Sequence, residues 1–347
     1  MSLKNKEPHV VSVNMEDYLQ IIIGLRKTGK TTLFRDMILS KYGTPKAGLL
    51  LAFEPGYTAL NNIIAEPIED WNYFQMVVNE LVYDKAEMPY KIIAIDTIDE
   101  MVNMAENQAI KFFNSKAECK KKATTLNEAG GGFNRGKNHT IKILRESILK
   151  LRKAGYGIFL IGHSKEKKKK NEMDMEYIQL SCNLTDDYND VFLNSADMIT
   201  FLTTEKNVSN SSIVGEEVYM NFRGTRFDCG NRLKHVPDRI KYDVDGYINV
   251  FENAVTKLAG EANKNVAELA KEQKESNDEK AVNEIKKIKE SDLSNLIVEI
   301  KETMKEGLKH NTLTAKSISE LLELYNVKSP DDIKDFETGN KILNELS

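Results

Sequence analysis

The sequence predicts an α/β fold, with a mainly parallel sheet covered by helices and a helical extension at the C-terminal end. Three observations carry this. Short apolar runs of strand length alternate with helix-period segments, which is how a helix-covered parallel sheet looks in sequence. The runs are continuous, as in strands buried on both faces. Past residue 251 the strand-type runs stop and helical spacing takes over.

The elements follow in order. Tyr18–Ile23 reads as the first strand and Thr31–Tyr42 as the first helix. Further strands are expected at Ala47–Phe53, Lys91–Ile95, Gly157–Ile161 and Met198–Leu202, with helices at Asp70–Tyr83, Ile98–Phe113 and Thr140–Ala154. Glu217–Phe222 and Ile240–Phe251 read as strand-rich, with Asp245-Gly246 as a tight hairpin turn. Residues 252–291 are rich in Ala, Lys and Glu with sparse apolar positions, which fits a solvated helix or helical linker; an irregular coiled-coil seam fits the same pattern. From 292 to 347 apolar residues return at helical spacing, among them Leu296, Ile300, Met304 and Leu322, and predict a small helical module. The expected organisation is a core over 1–251, the linker, and that module.

A chain of 347 residues, 41% apolar, is long enough for one substantial domain and an appendage. Its net charge of -4 announces no nucleic-acid binder, so any such surface must be a local basic patch. Cys119, Cys182 and Cys229 lie far apart without CxxC spacing and read as free thiols in a reducing cytoplasm. No apolar run is long enough to span a bilayer, and the N-terminus lacks the apolar core of a signal. A soluble cytoplasmic protein without a membrane partner is expected.

The most specific motif is Gly24-Leu25-Arg26-Lys27-Thr28-Gly29-Lys30-Thr31, followed by Thr32. It satisfies GxxxxGK[ST] and stands between a buried strand and a helix, where a phosphate-binding loop belongs. Glycines let successive backbone N–H groups turn toward phosphate oxygens, and the helix adds its positive end. Lys30 is expected to reach the β- and γ-phosphates, and the Thr31 hydroxyl to ligate Mg²⁺. The apolar strand Lys91–Ile95 runs into Asp96, the second expected holder of Mg²⁺. Taken alone, many strands end this way at a turn.

Two more strand ends carry polar residues. Leu49-Leu50-Leu51-Ala52-Phe53 leads into Glu54-Pro55-Gly56, and Ile158-Phe159-Leu160-Ile161-Gly162 leads into His163-Ser164-Lys165. In this order the motifs resemble the RecA-like recombinase ATPases, and in particular the short RecA-type ATPases of phages associated with single-strand DNA annealing. The resemblance spans roughly Tyr18 to Phe251 and implies a RecA-like core with ATP and Mg²⁺ as cofactors. It makes Glu54 the carboxylate that activates the attacking water, a role a carboxylate near the γ-phosphate can fill. It makes His163 the sensor of the γ-phosphate. As residues alone, Glu54 also fits a turn cap beside Pro55-Gly56, and His163 a structural hydrogen bond. Glu54 and Asp96 are expected to approach the loop from the neighbouring strands. No N-terminal domain of useful size and no aromatic polymerisation motif precede the core, which favours annealing or another DNA-linked role over full strand exchange.

Two segments stand where the family's DNA-facing loops stand. One contains Lys120, Lys121, Lys122, Gly130-Gly131-Gly132, Phe133, Arg135 and Lys137; the other contains Lys165 and Lys167, Lys168, Lys169 and Lys170. Lysines on loops can follow a phosphate backbone without reading bases, and Phe133 offers a stacking face. Solvated charged loops have the same composition. A third cluster supplies Arg223, Arg226 and Arg232 as candidates for a cation acting on a neighbouring subunit's site in a homo-oligomer. A salt-bridged surface hairpin accounts for them equally. Two functional readings follow: an ATPase acting on single-stranded DNA, and a nucleotide-switched adaptor whose C-terminal helices recruit a protein. A small-molecule kinase fits Glu54 less well.

Overall fold

The computed structural model describes residues 8–116, 121–209, 212–228 and 230–346; Cys119, Lys120 and Cys229 lie outside them. The described strands are β1 (Leu19–Gly24), β2 (Gly48–Ala52), β3 (Ala65–Pro67), β4 (Ile92–Asp96), β5 (Gly157–Lys170), β6 (Glu176–Cys182), β7 (Met198–Ser209), β8 (Ser212–Asn221) and β9 (Arg239–Lys241). The helices are α1 (Lys30–Tyr42), α2 (Trp71–Tyr83), α3 (Ile98–Ser115), α4 (Arg135–Lys153), α5 (Asp186–Phe192), α6 (Val244–Glu261), α7 (Val266–Lys309), α8 (Ala315–Leu324) and α9 (Phe336–Leu346).

The sheet runs β3-β2-β4-β5-β1-β7-β8-β9, with β6 paired to the far half of β5. The β3 to β7 stretch is parallel, whereas β7–β8, β8–β9 and β5–β6 are antiparallel. Ile21, Ile22 and Ile23 are all fully buried, so β1 is covered on both faces as its unbroken apolar run requires. Ile22, Leu50 and Phe159 face Phe34 and Met37 of α1 and Tyr247 and Phe251 of α6. On the opposite face Phe53 meets Phe74 of α2, and a Cβ at Gly162 would press on Ile98 of α3. Gln75 of α2 donates to Ser147 of α4 at 2.8 Å, joining those two helices.

Four expectations are corrected. The segment 244–261 is helix, not strand and hairpin. Asp243 caps it by accepting from Gly246 N–H at 2.7 Å, so the Asp-Gly pair sits in a first helical turn. Tyr247, Phe251, Ala254 and Val255 then recur at helical spacing and are buried. The lysine segment after His163 is not a loop: β5 continues through it to Lys170, paired residue by residue with β6. The fourth helix begins at Arg135, ahead of Thr140. Finally, β4 does not neighbour β1, because β5 lies between them.

Among the described residues the chain divides into two compact units, one of residues 8–114 and 121–279 and the other of 115–116 and 280–346. In the first, Gln273 of α7 accepts from Val13 N–H at 3.0 Å and donates to Val11 O at 2.8 Å, tying down the segment ahead of β1. The second has a core of its own, in which Leu296, Ile300 and Met304 meet Leu322, Val327, Ile333, Ile342 and Leu346. Gly339 lets α9 come close to α7, since a Cβ there would lie 2.5 Å from Leu296 Cδ2.

Candidate nucleotide site

The loop 24–31 begins where β1 ends, at the C-terminal edge of the sheet. Gly24 is enclosed there: a Cβ would stand 2.9 Å from Thr28 Oγ1 and 3.0 Å from Leu202 Cβ, so only glycine fits without displacement. Gly29 has φ +88°, the left-handed region that favours glycine, and precedes α1. Thr28 donates its hydroxyl to Leu25 O at 2.8 Å and closes the turn. Leu25, Arg26 and Lys27 are exposed on its outside, while Thr32 is half-buried in α1.

Lys30 curls back into the loop, with Nζ donating to Gly24 O at 3.0 Å and Leu25 O at 2.8 Å. Burial lowers its pKa, and the charges of Asp96, Asp99 and Glu54 oppose that shift. Asp96 ends β4, buried, and its Oδ2 accepts the Thr31 hydroxyl at 2.7 Å. Burial raises the Asp96 carboxyl above its ordinary value, against the pull of the Thr31 hydrogen bond and the Lys30 charge. A hydroxyl and a carboxylate side by side are a hard-oxygen donor set that fits Mg²⁺. Thr31 and Asp96 are therefore the residues that would hold it.

Glu54 follows β2, and its backbone N–H donates to Asp96 O at 3.1 Å. Its Oε1 accepts the Thr97 hydroxyl at 2.7 Å. The side chain is thus fixed by the residue that follows Asp96. His163 stands directly opposite Gly24 in the β1–β5 register. Its backbone N–H donates to Asp99 Oδ2 at 3.0 Å, and its Nδ1 lies 3.6 Å from the same oxygen. Lys30, Thr31, Asp96, Glu54 and His163 therefore gather at one end of the sheet although they come from four separate stretches of chain.

Three residues here were not singled out in the sequence. Thr97 and Asp99 follow Asp96 closely, and a hydroxyl and an acid just past a strand were the available signal. Tyr242 had none: it arrives from far along the chain to donate to Gly29 O at 3.1 Å, its ring against that glycine.

The basic candidates divide. On the β5–β6 ribbon, Lys167 pairs with Asp186 at 2.9 Å and Lys169 with Asp228 at 3.4 Å. Lys170 reaches Asp174 at 3.6 Å, while Lys165 and Lys168 are exposed. Met173, Met175, Tyr177 and Ile178 are exposed near the ribbon tip. In the earlier segment Lys121 and Lys122 are exposed, Phe133 is 92% exposed, and Arg135 donates to Gly130 O at 3.0 Å. Lys137 pairs with Asp187. Both segments thereby converge on Asp186 and Asp187, the first two residues of α5.

Arg223 and Arg226 line a cavity of about 740 Å³ together with Lys165, Phe227 and Leu25 of the loop. Arg232 is committed elsewhere, to Asp197 at 3.0 Å and Asn194 O at 2.5 Å.

No curated protein matches the chain. A family model described as an AAA domain matches residues 17–233, more than half of the 347 residues and the stretch that carries β1, the loop, Glu54, Asp96 and His163. With that match laid over a phosphate loop and its paired Thr31 and Asp96, the chain belongs to the AAA domain family of P-loop ATPase-type proteins.

Proposed function

We propose that the protein is a Mg²⁺-dependent ATPase of the RecA-like phage type that acts on single-stranded DNA in recombination, annealing or repair. One observation carries this reading: β5 runs without a break from His163, beside the phosphate loop, into the lysine-bearing ribbon. A strand that touches the hydrolysis site at one end and offers cations at the other can make DNA affinity depend on nucleotide, since a ligand shifts an equilibrium only through differential binding.

The residues divide the work. The loop N–H groups and Lys30 take the phosphates, Lys30 leaving the Gly24 and Leu25 carbonyls to do so. Thr31 and Asp96 would hold Mg²⁺, which when bound would neutralise charge on the phosphate oxygens. Glu54, anchored by Thr97, orients and deprotonates the attacking water. His163 senses the γ-phosphate and passes its loss along β5. On the ribbon, Lys165 and Lys168 offer cations to phosphates on opposite faces, and the exposed Met173, Met175, Tyr177 and Ile178 offer apolar surface to bases, the mixture that suits sequence-tolerant single-strand binding. Lys121, Lys122 and Phe133 add a second contact. In a homo-oligomer, Arg223 or Arg226 reaches a neighbouring subunit's site. Arg232, bound to Asp197, is the weaker candidate for that role.

The test is single-strand affinity with and without a non-hydrolysable ATP analogue across a salt series. We expect tighter binding in one nucleotide state and a log–log salt dependence. Lys165→Ala with Lys168→Ala should weaken binding uniformly across sequences, whereas Lys167→Ala with Lys169→Ala should chiefly loosen the ribbon. Absence of binding in both nucleotide states at low salt ends the DNA reading. A second reading rests on the separate core of the C-terminal unit: a nucleotide-switched adaptor that recruits a protein through those helices. Loss of partner capture with intact DNA behaviour after removal of residues 293–347 favours it.

A further inference from the structure

Asp99 has no assigned part in the phosphate site, yet it is tied to several groups there. It stands in the first turn of α3 and is 8% exposed. One oxygen, Oδ2, accepts the His163 backbone N–H at 3.0 Å and lies 3.6 Å from the imidazole Nδ1. Asn183, the residue after β6, donates its backbone N–H to His163 O at 2.8 Å, and its side chain also stabilises the Asp99 charge. A single carboxylate thus holds the residue opposite Gly24 and the base of the ribbon together. Burial works against the charge on Asp99, but the hydrogen bonds from His163 and Asn183 outweigh it and leave the carboxyl below its ordinary value. The other oxygen, Oδ1, is buried without a hydrogen-bond partner. Such an unmet group is unfavourable and calls for a reason. An acid in a first helical turn often serves the helix dipole, but that role requires neither burial nor a histidine.

We propose that Asp99 is a positioning residue for hydrolysis: it sets the imidazole of His163 with Nδ1 toward the carboxylate, leaving Nε2 as the nitrogen that meets the phosphate site. This rests on the reading of His163 as part of that site. A neighbouring anion favours the proton on Nδ1, and the bond made by one ring nitrogen fixes the role of the other.

The experiment compares wild type, Asp99→Asn, His163→Gln and the double variant in kcat, KM for ATP and melting temperature. It adds ¹⁵N shifts of the His163 imidazole in the nucleotide-free protein. Asp99→Asn should lower kcat about tenfold or more while KM stays within about twofold, the pattern of a group acting in the transition state. In the His163→Gln background the same change should cost less than about twofold, because the two residues act as one unit. The nitrogen shifts should show Nδ1 protonated in wild type and a tautomer mixture in Asp99→Asn. Equal losses in both backgrounds, full activity in Asp99→Asn, or a wild-type ring protonated at Nε2 overturns the assignment. A wild type that hydrolyses no ATP refutes the functional reading instead, and the nitrogen shifts still judge Asp99.

Discussion

Lys30 sits in the phosphate loop with its side chain buried and its ammonium on two backbone carbonyls, so its charge is held ready inside the turn. Lys30→Ala should abolish nucleotide binding, read by titration with a fluorescent ATP analogue; binding at wild-type affinity removes the loop from the mechanism. Glu54→Gln should leave analogue affinity intact and slow hydrolysis about 10²–10⁴-fold, the range of a lost general base. At this scale the phosphate loop was legible because its chemistry is local: glycines, lysine and threonine act within eight consecutive positions. Asp96 was legible once the loop was placed. Asp99 and Tyr242 were not, since what sets them apart is the strand end and the loop carbonyl they meet in the fold. Arg232 looked like its neighbours until the fold set it against Asp197.

Elements were legible where burial alone decides them. The five predicted strands of the parallel core are all present, because an unbroken apolar run admits few other fates. The outer half of β5 was hidden, for four consecutive lysines carry no strand pattern. It is a strand because β6 pairs with it and because Asp186 and Asp228 neutralise two lysines on one face. The start of α6 was hidden by its Asp-Gly pair, which signals a hairpin only when strands flank it. Just after α2, Lys85 places its ammonium 3.4 Å over the Tyr156 ring and donates to Tyr90 O at 3.3 Å, and burial lowers its pKa to about 8. The unfolded chain keeps that proton up to about 10.5, so between the two values the unfolded state binds more protons and stability rises with pH. Wild type should therefore gain stability relative to Lys85→Met between pH 7 and pH 10, measured by urea unfolding. A constant difference would mean that the ammonium is well solvated.

At the scale of the molecule, the two compact units have separate cores, and no helix among the described residues is long and apolar enough to cross a membrane. Ile300 is fully buried in the C-terminal core. Ile300→Ala should destabilise that unit by about 2–5 kcal/mol, the usual cost of a large core truncation. Calorimetry should show a C-terminal transition at lower temperature while ATP-analogue affinity stays unchanged. A matching fall in affinity would mean that the two cores do not melt independently. The continuity of β5 has a mechanical consequence. From Ser164 to Lys170, at about 3.3 Å per residue, it forms an arm of roughly 20 Å with no joint between tip and root. A load on the tip would meet no slack chain before the His163 end of the strand. Because the pleat repeats every two residues, lengthening or trimming this arm in pairs alters leverage without turning either face over.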